Sequence, residues 1–176
     1  HAHVGSGVTD KAHWANLFAQ LAGQADAIGT VKAINLGGGL GVPYGDDDEP
    51  FDVAALAGAL NESRKQFPHY AVWMEPGRFM VAEAGVLLTR VSQVVDKLGM
   101  RRIGLDAGMN ALMRPALYQS KHRIVNLSRL GDASDRRVDV VGPICESTDV
   151  IGTQRALPAA TTESDVLLIA DAGAYG

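Results

Sequence analysis

The chain has 176 residues, 47% apolar and 20% charged, a balance that suits a folded soluble protein of one domain or parts of two. Its net charge of −4, with no run of Lys or Arg, argues against a dedicated nucleic-acid surface. A single cysteine, Cys145, excludes an internal disulfide and fits a reducing, cytoplasmic setting, and no apolar run reaches membrane-spanning length.

His1 to Gly7 reads His-Ala-His-Val-Gly-Ser-Gly and predicts the end of a strand opening into a loop. A helix follows, capped by Thr9 or Asp10, with Trp14, Leu17, Phe18, Leu21 and Ala25 at helical spacing and Gly29 at its end. Val31–Leu36 predicts a short buried strand that runs into Gly37-Gly38-Gly39. The acidic stretch from Asp46 to Pro50 predicts a solvated loop, not a metal site. A second helix is expected from about Asp52 to Gln66, stopped by Pro68. Tyr70–Met74 predicts a strand ended by Glu75-Pro76-Gly77-Arg78, and a helix through Phe79–Glu83 comes next. Trp14 and Trp73 are expected in the core, and His13, His69 and His122 in solvent.

Three strand–helix units at a steady spacing suit a parallel sheet. The glycine and polar motifs fall just after the strands, where (β/α)8 barrels carry their sites. Past Gly85 the texture changes. Val91–Val95, Arg102–Leu105, Arg123–Leu127, Val138–Val141 and Val166–Ile169 are short β-rich runs. Arg129–Arg137 predicts a hairpin loop and Gln154–Thr162 another loop. The expected fold class is therefore α/β plus all-β. Residues 1–84 would be the last βα units of a (β/α)8 TIM barrel, and residues 85–176 an antiparallel β-sandwich or barrel domain, both incomplete. We expect His1 and Gly176 to be interior to a longer polypeptide, because a motif opens at the first residues and an apolar run stands close to the last.

The glycine run carries the chemical argument. Without Cβ atoms, successive N–H groups can converge on one anion, and a flexible turn is the alternative reading. Gly77 and Arg78 add a backbone donor and a cation, and Ser6 a hydroxyl. Glu75 and His3 supply a carboxylate and a flat ring. Pyridoxal 5′-phosphate uses all of these: phosphate to the glycines, ring face to His3, ring nitrogen to Glu75. A carboxylate beside that nitrogen keeps it protonated and makes the ring a better electron sink.

The pattern resembles the fold-type III pyridoxal-phosphate decarboxylases, most closely the branch acting on meso-2,6-diaminopimelate. The resemblance rests on His3-Val4-Gly5-Ser6-Gly7, Gly37-Gly38-Gly39, Glu75-Pro76-Gly77-Arg78, Asp106-Ala107-Gly108-Met109-Asn110, Met113-Arg114-Pro115-Ala116-Leu117-Tyr118, Gly142 to Asp149, and Asp171 to Gly176. It implies that His3 stacks on the ring. Ser6, Gly38, Gly39, Gly77 and Arg78 would hold the phosphate, with Tyr175 closing on it. Glu75 would meet the pyridine nitrogen. Arg78, Arg114 and Tyr118 would bind the distal carboxylate of the substrate and Glu146 its distal amino group. Cys145 would protonate the substrate Cα after carbon dioxide leaves. In this family Cys145 and Glu146 act in the partner subunit's site, so a homodimer with shared active sites is implied.

The family's cofactor-bearing lysine lies in a motif like Tyr-Ala-Val-Lys-Ala-Asn, and none of Lys11, Lys32, Lys65, Lys97 or Lys121 has that context. The chain alone is therefore expected to be inactive. The resemblance implies decarboxylation of meso-2,6-diaminopimelate to L-lysine, a step of lysine biosynthesis. The alternatives are a decarboxylase of ornithine, arginine or carboxynorspermidine, or a non-catalytic module kept for binding or dimerisation.

Overall fold

The computed structural model describes residues 1–45 and 48–175. Asp46 and Asp47 of the acidic loop, and Gly176 of the last motif, lie outside the described residues. The chain divides into two compact units, His1–Pro43 with Glu49–Met80, and Tyr44–Asp48 with Val81–Gly176.

In the first unit, α1 (Ala12–Ile28) buries Trp14, Leu17, Phe18, Ala22 and Ala25 along one stripe. Asp10 caps its start by accepting the N–H of Ala12 at 2.9 Å, and Gly29 ends it at a φ of 76°. Helix α2 (Val53–Arg64) is capped by Asp52, whose carboxylate accepts the N–H of Ala55 at 2.9 Å. Strands β1 (Ala33–Asn35) and β2 (Ala71–Trp73) pair in parallel, Asn35 opposite Trp73. Both are shorter than expected. The expected strand before His3 is instead a segment lying beside β1, with Ala2 donating to the Asn35 carbonyl at 3.0 Å and an isolated bridge from Val8 to Leu40. Trp14 packs edge-on to Phe51 at 5.7 Å in the core, but Trp73 is 60% exposed. Side chains alternate along β2, so Val72 takes the inward position and Trp73 the outward one. Helix α3 (Gly77–Val81) and a short 3-10 turn (Ala82–Ala84) follow.

The second unit is built on six strands: β3 (Leu87–Lys97), β4 (Met100–Leu105), β5 (Ile124–Asn126), β6 (Arg136–Val141), β7 (Val150–Leu157) and β8 (Val166–Ile169). Their order in the sheet is β5-β8-β3-β4-β6-β7. The outermost strands β5 and β7 lie against each other, so the sheet curls into a nearly closed barrel. It encloses Val91, Ile103, Leu105, Leu112, Ile151 and Leu167 among others.

Three expectations are corrected here. The sheet is mixed rather than antiparallel, because β4 and β6 run parallel, Arg102 opposite Asp139. Arg129–Arg137 is not a hairpin loop; β5 and β6 do not pair, and the segment crosses between separated strands. Gln154–Leu157 belongs to β7, where Arg155 pairs with Val138 and Leu157 with Arg136, so the loop begins only at Pro158.

His122 is also corrected: it is 1% exposed. Its Nδ1 lies 2.9 Å from the Ala170 carbonyl, so that nitrogen carries the proton, and Nε2 lies 3.3 Å from the Ser120 hydroxyl. Burial pushes its pKa down and keeps the ring neutral.

A second buried polar cluster ties β8 to β5. Asp165, 7% exposed, accepts Arg129 Nε at 2.7 Å, Asn126 Nδ2 at 3.0 Å and the N–H of Thr162 at 3.1 Å through one oxygen. Burial alone would raise its pKa, but the bonds from Asn126, Arg129 and Thr162 overcome that and hold it below 3.8. A carboxylate depressed in the folded state adds stability above its unfolded pKa, and that stability is lost as pH falls through the lower folded value. We expect Asp165→Asn to cost about 2–4 kcal/mol near neutral pH. Urea melts should show that difference shrinking below about pH 4, where the unfolded chain takes up the proton, and shrinking further until the folded carboxyl is protonated as well.

Candidate active site

The glycine turn after β1 exists because three backbone segments meet there. A Cβ on Gly38 would lie 2.1 Å from the Glu75 carbonyl oxygen, and one on Gly39 would lie 2.0 Å from that of Gly5. Gly37, at a φ of 67°, has the Ala2 carbonyl at 2.7 Å from where its Cβ would be. No side chain fits at these positions. The segments are tied as well as close. Glu75 N–H donates to Gly37 O at 2.8 Å, and Gly38 N–H donates to His3 Nδ1 at 3.1 Å. His3 Nδ1 is therefore the acceptor, and the neutral ring carries its proton on Nε2.

Around this turn the first unit gathers His3, Ser6, Gly38, Gly39, Glu75, Gly77 and Arg78. Arg78 Nη2 donates to Ser6 Oγ at 3.1 Å, which sets a cation and a hydroxyl side by side. The Glu75 carboxylate is half-exposed; Oε1 accepts Asn35 Nδ2 at 2.8 Å, and His1 Nε2 stands 3.4 Å away. Gly77 departs from expectation, since its N–H is spent on the Glu75 carbonyl at 2.8 Å. The N–H of Gly38 is likewise spent on His3. Gly39 N–H has no acceptor among the described residues. It joins the Ser6 hydroxyl and the Arg78 guanidinium as donors that suit a phosphate-sized anion.

The second unit holds Arg114, Tyr118, Cys145, Glu146 and Tyr175. Arg114 opens helix α4 (Arg114–Tyr118), with Pro115 fixing the first turn. Its guanidinium carbon lies 5.1 Å from the Tyr118 ring centre and 5.7 Å from that of Tyr175, so two aromatic rings frame one cation. Arg114 Nε is buried and has no partner among the described residues. A buried donor of this kind calls for an acceptor, and a planar guanidinium matches a carboxylate.

Cys145 and Glu146 are exposed on the loop between β6 and β7. Glu146 Oε1 accepts the Ser147 hydroxyl at 3.1 Å and the N–H of Thr148 at 3.3 Å. The Ser147 bond first, then that from Thr148, holds its pKa below the usual range, so it is a carboxylate at neutral pH. Asp106, beside the Gly108 turn, is taken up by its own neighbours. It accepts Thr89 Oγ1 at 2.6 Å and the N–H of Arg90 at 2.8 Å.

Two residues of the site escaped sequence reasoning. Asn35 bridges the glycine turn and Glu75, accepting Gly37 N–H at 2.9 Å while donating to the carboxylate. Asp149, 3% exposed, fastens the Cys145 loop: Oδ1 accepts Met109 N–H at 2.6 Å and Oδ2 accepts Ile144 N–H at 2.8 Å. Cβ atoms on Gly108 or Gly142 would come within 2.5 Å and 2.2 Å of its carboxylate oxygens. The only signal was an aspartate closing a glycine-headed loop.

Comparison with known proteins gives a consistent result. The family model described as pyridoxal-dependent decarboxylase, C-terminal sheet domain, matches residues 8–173. The diaminopimelate decarboxylase of Methanothermobacter thermautotrophicus is 38% identical over 186 residues, covering 99% of this chain and 43% of the relative. That of Escherichia coli K12 is 40% identical, covering 100% of this chain and 46% of the relative. A crystal structure of diaminopimelate decarboxylase from M. jannaschii in complex with L-lysine superposes with a TM-score of 0.87 at 34% identity, covering 99% of this chain and 41% of that one. SrLDC in complex with PLP and cadaverine gives a TM-score of 0.82 at 26% identity, over 98% and 46%. The chain thus spans less than half the length of these relatives.

Replacing Asp149 by Ala should leave two loop N–H groups without their acceptor and cost about 2–4 kcal/mol. Hydrogen exchange should show faster exchange at Met109 and Ile144 than in the parent; unchanged exchange at both would remove the fastening role.

Proposed function

The chain belongs to the pyridoxal-dependent decarboxylases, and on that premise we propose that the protein carrying it decarboxylates meso-2,6-diaminopimelate to L-lysine and carbon dioxide. Residues 1–84 are read as the closing part of a (β/α)8 barrel and residues 85–176 as the β domain. The observation that carries the reading is a single glycine turn that bonds His3 through Gly38 and Glu75 through Gly37. Bound pyridoxal 5′-phosphate supplies a protonated pyridine ring that accepts the electrons left on the substrate when carbon dioxide departs.

The residues divide that work. Gly39, Ser6 and Arg78 take the phosphate, with Gly38 and Gly77 shaping the backbone around it and Tyr175 closing on it. His3 lies against the ring, and its Nδ1 bond to Gly38 fixes the ring plane. Glu75 meets the pyridine nitrogen. Arg114, with Arg78 and Tyr118, takes the distal carboxylate of the substrate, and the unpartnered Nε supports this assignment. Glu146, ionised at neutral pH, takes the distal ammonium. Cys145 stands beside it as the proton donor to Cα. Cys145 and Glu146 serve the partner's site in a cytoplasmic homodimer.

A neighbouring structure at 25% identity is described as a lysine/ornithine decarboxylase complexed with cadaverine, so a monocarboxylate substrate is the second reading. Arg114 discriminates, because ornithine and lysine have no distal carboxylate to fill its buried Nε.

In the full-length enzyme, Arg114→Ala should lower kcat/KM for meso-2,6-diaminopimelate by at least about a hundredfold, since a charge-assisted pair is lost. Steady-state rates on diaminopimelate, ornithine and lysine check this, and a preference for ornithine in the parent sinks the first reading. Cys145→Ala should lower kcat by about a hundredfold while cofactor affinity stays at the parent value. Unchanged turnover would remove the proton-donor role.

A further inference from the structure

We propose that Asn35 is the positioning residue that sets the Glu75 carboxylate for the pyridine nitrogen; this deepens the reading above and rests on the role given there to Glu75. Asn35 ends β1, and its register partner Trp73 ends β2, two residues before Glu75. The two side chains therefore leave neighbouring strands at the same end. The amide is used at both ends. Oδ1 accepts Gly37 N–H at 2.9 Å, and Nδ2 donates to Glu75 Oε1 at 2.8 Å. An N–H can only donate and an ionised carboxylate can only accept, so both bonds demand the same amide orientation.

The main chain at Glu75 needs no such help. Its N–H is held by Gly37 O at 2.8 Å, and its carbonyl is seated against Gly38. Its side chain is different, being 55% exposed with several rotatable bonds. Besides Asn35 it meets His1, whose Nε2 stands 3.4 Å from both oxygens, near the limit for a hydrogen bond. Asn35 is thus the close grip on the carboxylate. With Oε1 engaged, Oε2 is presented in one direction. The same amide steadies Gly37 and so links the glycine turn to the group that would face the ring nitrogen.

The two bonds can be separated. Asn35→Asp keeps an oxygen for Gly37 N–H and replaces the donor with a second carboxylate beside Glu75. In the full-length enzyme we expect Asn35→Asp to raise the cofactor dissociation constant about tenfold and to lower kcat about tenfold, with the substrate KM near the parent value. In a Glu75→Gln background the same change should add less than about twofold. Fluorescence titration of cofactor into the cofactor-free protein reads the first effect without turnover. Circular dichroism of that cofactor-free protein should match the parent. If Asn35→Asp does not fold, Asn35→Ser, which keeps an acceptor near Gly37 but not the reach to Glu75, carries the same expectation. Parent-like cofactor binding and kcat in the folded variant, or an equal effect in the Glu75→Gln background, overturns the proposal. A Glu75→Gln enzyme that itself binds cofactor and turns over like the parent overturns the role of Glu75, and the proposal with it.

Discussion

Backbone packed directly against backbone governs the first unit. The carbonyl of Glu75 occupies the space where a side chain at residue 38 would begin, and the carbonyl of Gly5 does the same at residue 39. Such an approach is open only to glycine, so the glycine run is a packing requirement before it is a binding feature. Once the segments are this close, the hydrogen bonds follow. Gly37 receives Glu75, Gly38 reaches His3, and Asn35 closes the remaining gap. The chemistry assigned to the turn depends on geometry that the backbone fixes first.

The second unit solves a related problem with buried carboxylates. Asp149 and Asp165 are both nearly excluded from water, and each is surrounded by donors. A buried polar network is stabilising only when its members are satisfied, and then it rigidifies what it joins. Asp149 joins two loops, and Asp165 joins strand ends. Glu146, three positions before Asp149, is exposed and needs only its own neighbours, Ser147 and Thr148, to orient it. One loop thus carries a carboxylate that holds it in place and another that is presented outward.

Much of this was readable in the chain, and the failures have physical causes. Helix α1 announced itself through Trp14, Leu17, Phe18 and Ala25, and the end of α2 through Pro68, because 3.6-residue periods and helix stops are local signals; the Asp52 cap emerged only in the structure. The coming together of His3, Gly38 and Glu75 was inferred from strand-tip placement and is present in the structure. Strand β7 was missed altogether, because Gln154 and Arg155 interrupt its apolar pattern; Arg155 pairs with Val138, whereas Gln154 lies at a break in the register and gives its N–H to the Asp139 side chain. The parallel pairing of β4 and β6 left no trace in either strand, since register is a property of two distant segments. Trp73 and His122 reversed the usual expectations for their residue types. The outward position on β2 takes one, and a carbonyl at Ala170 waits for the other. Asn35 and Asp149 are ordinary polar residues whose importance lies in partners far along the chain.

The position of β8 has a consequence for biosynthesis. It lies between β5 and β3, yet it is the last of the six strands to leave the ribosome. Until it emerges, β5 lacks the strand it hydrogen-bonds to, and one edge of β3 stays unpaired along Leu87–Arg90. Nascent chains stalled before Val166 would therefore display an unpaired, apolar edge of the kind that recruits chaperones or other unfinished copies.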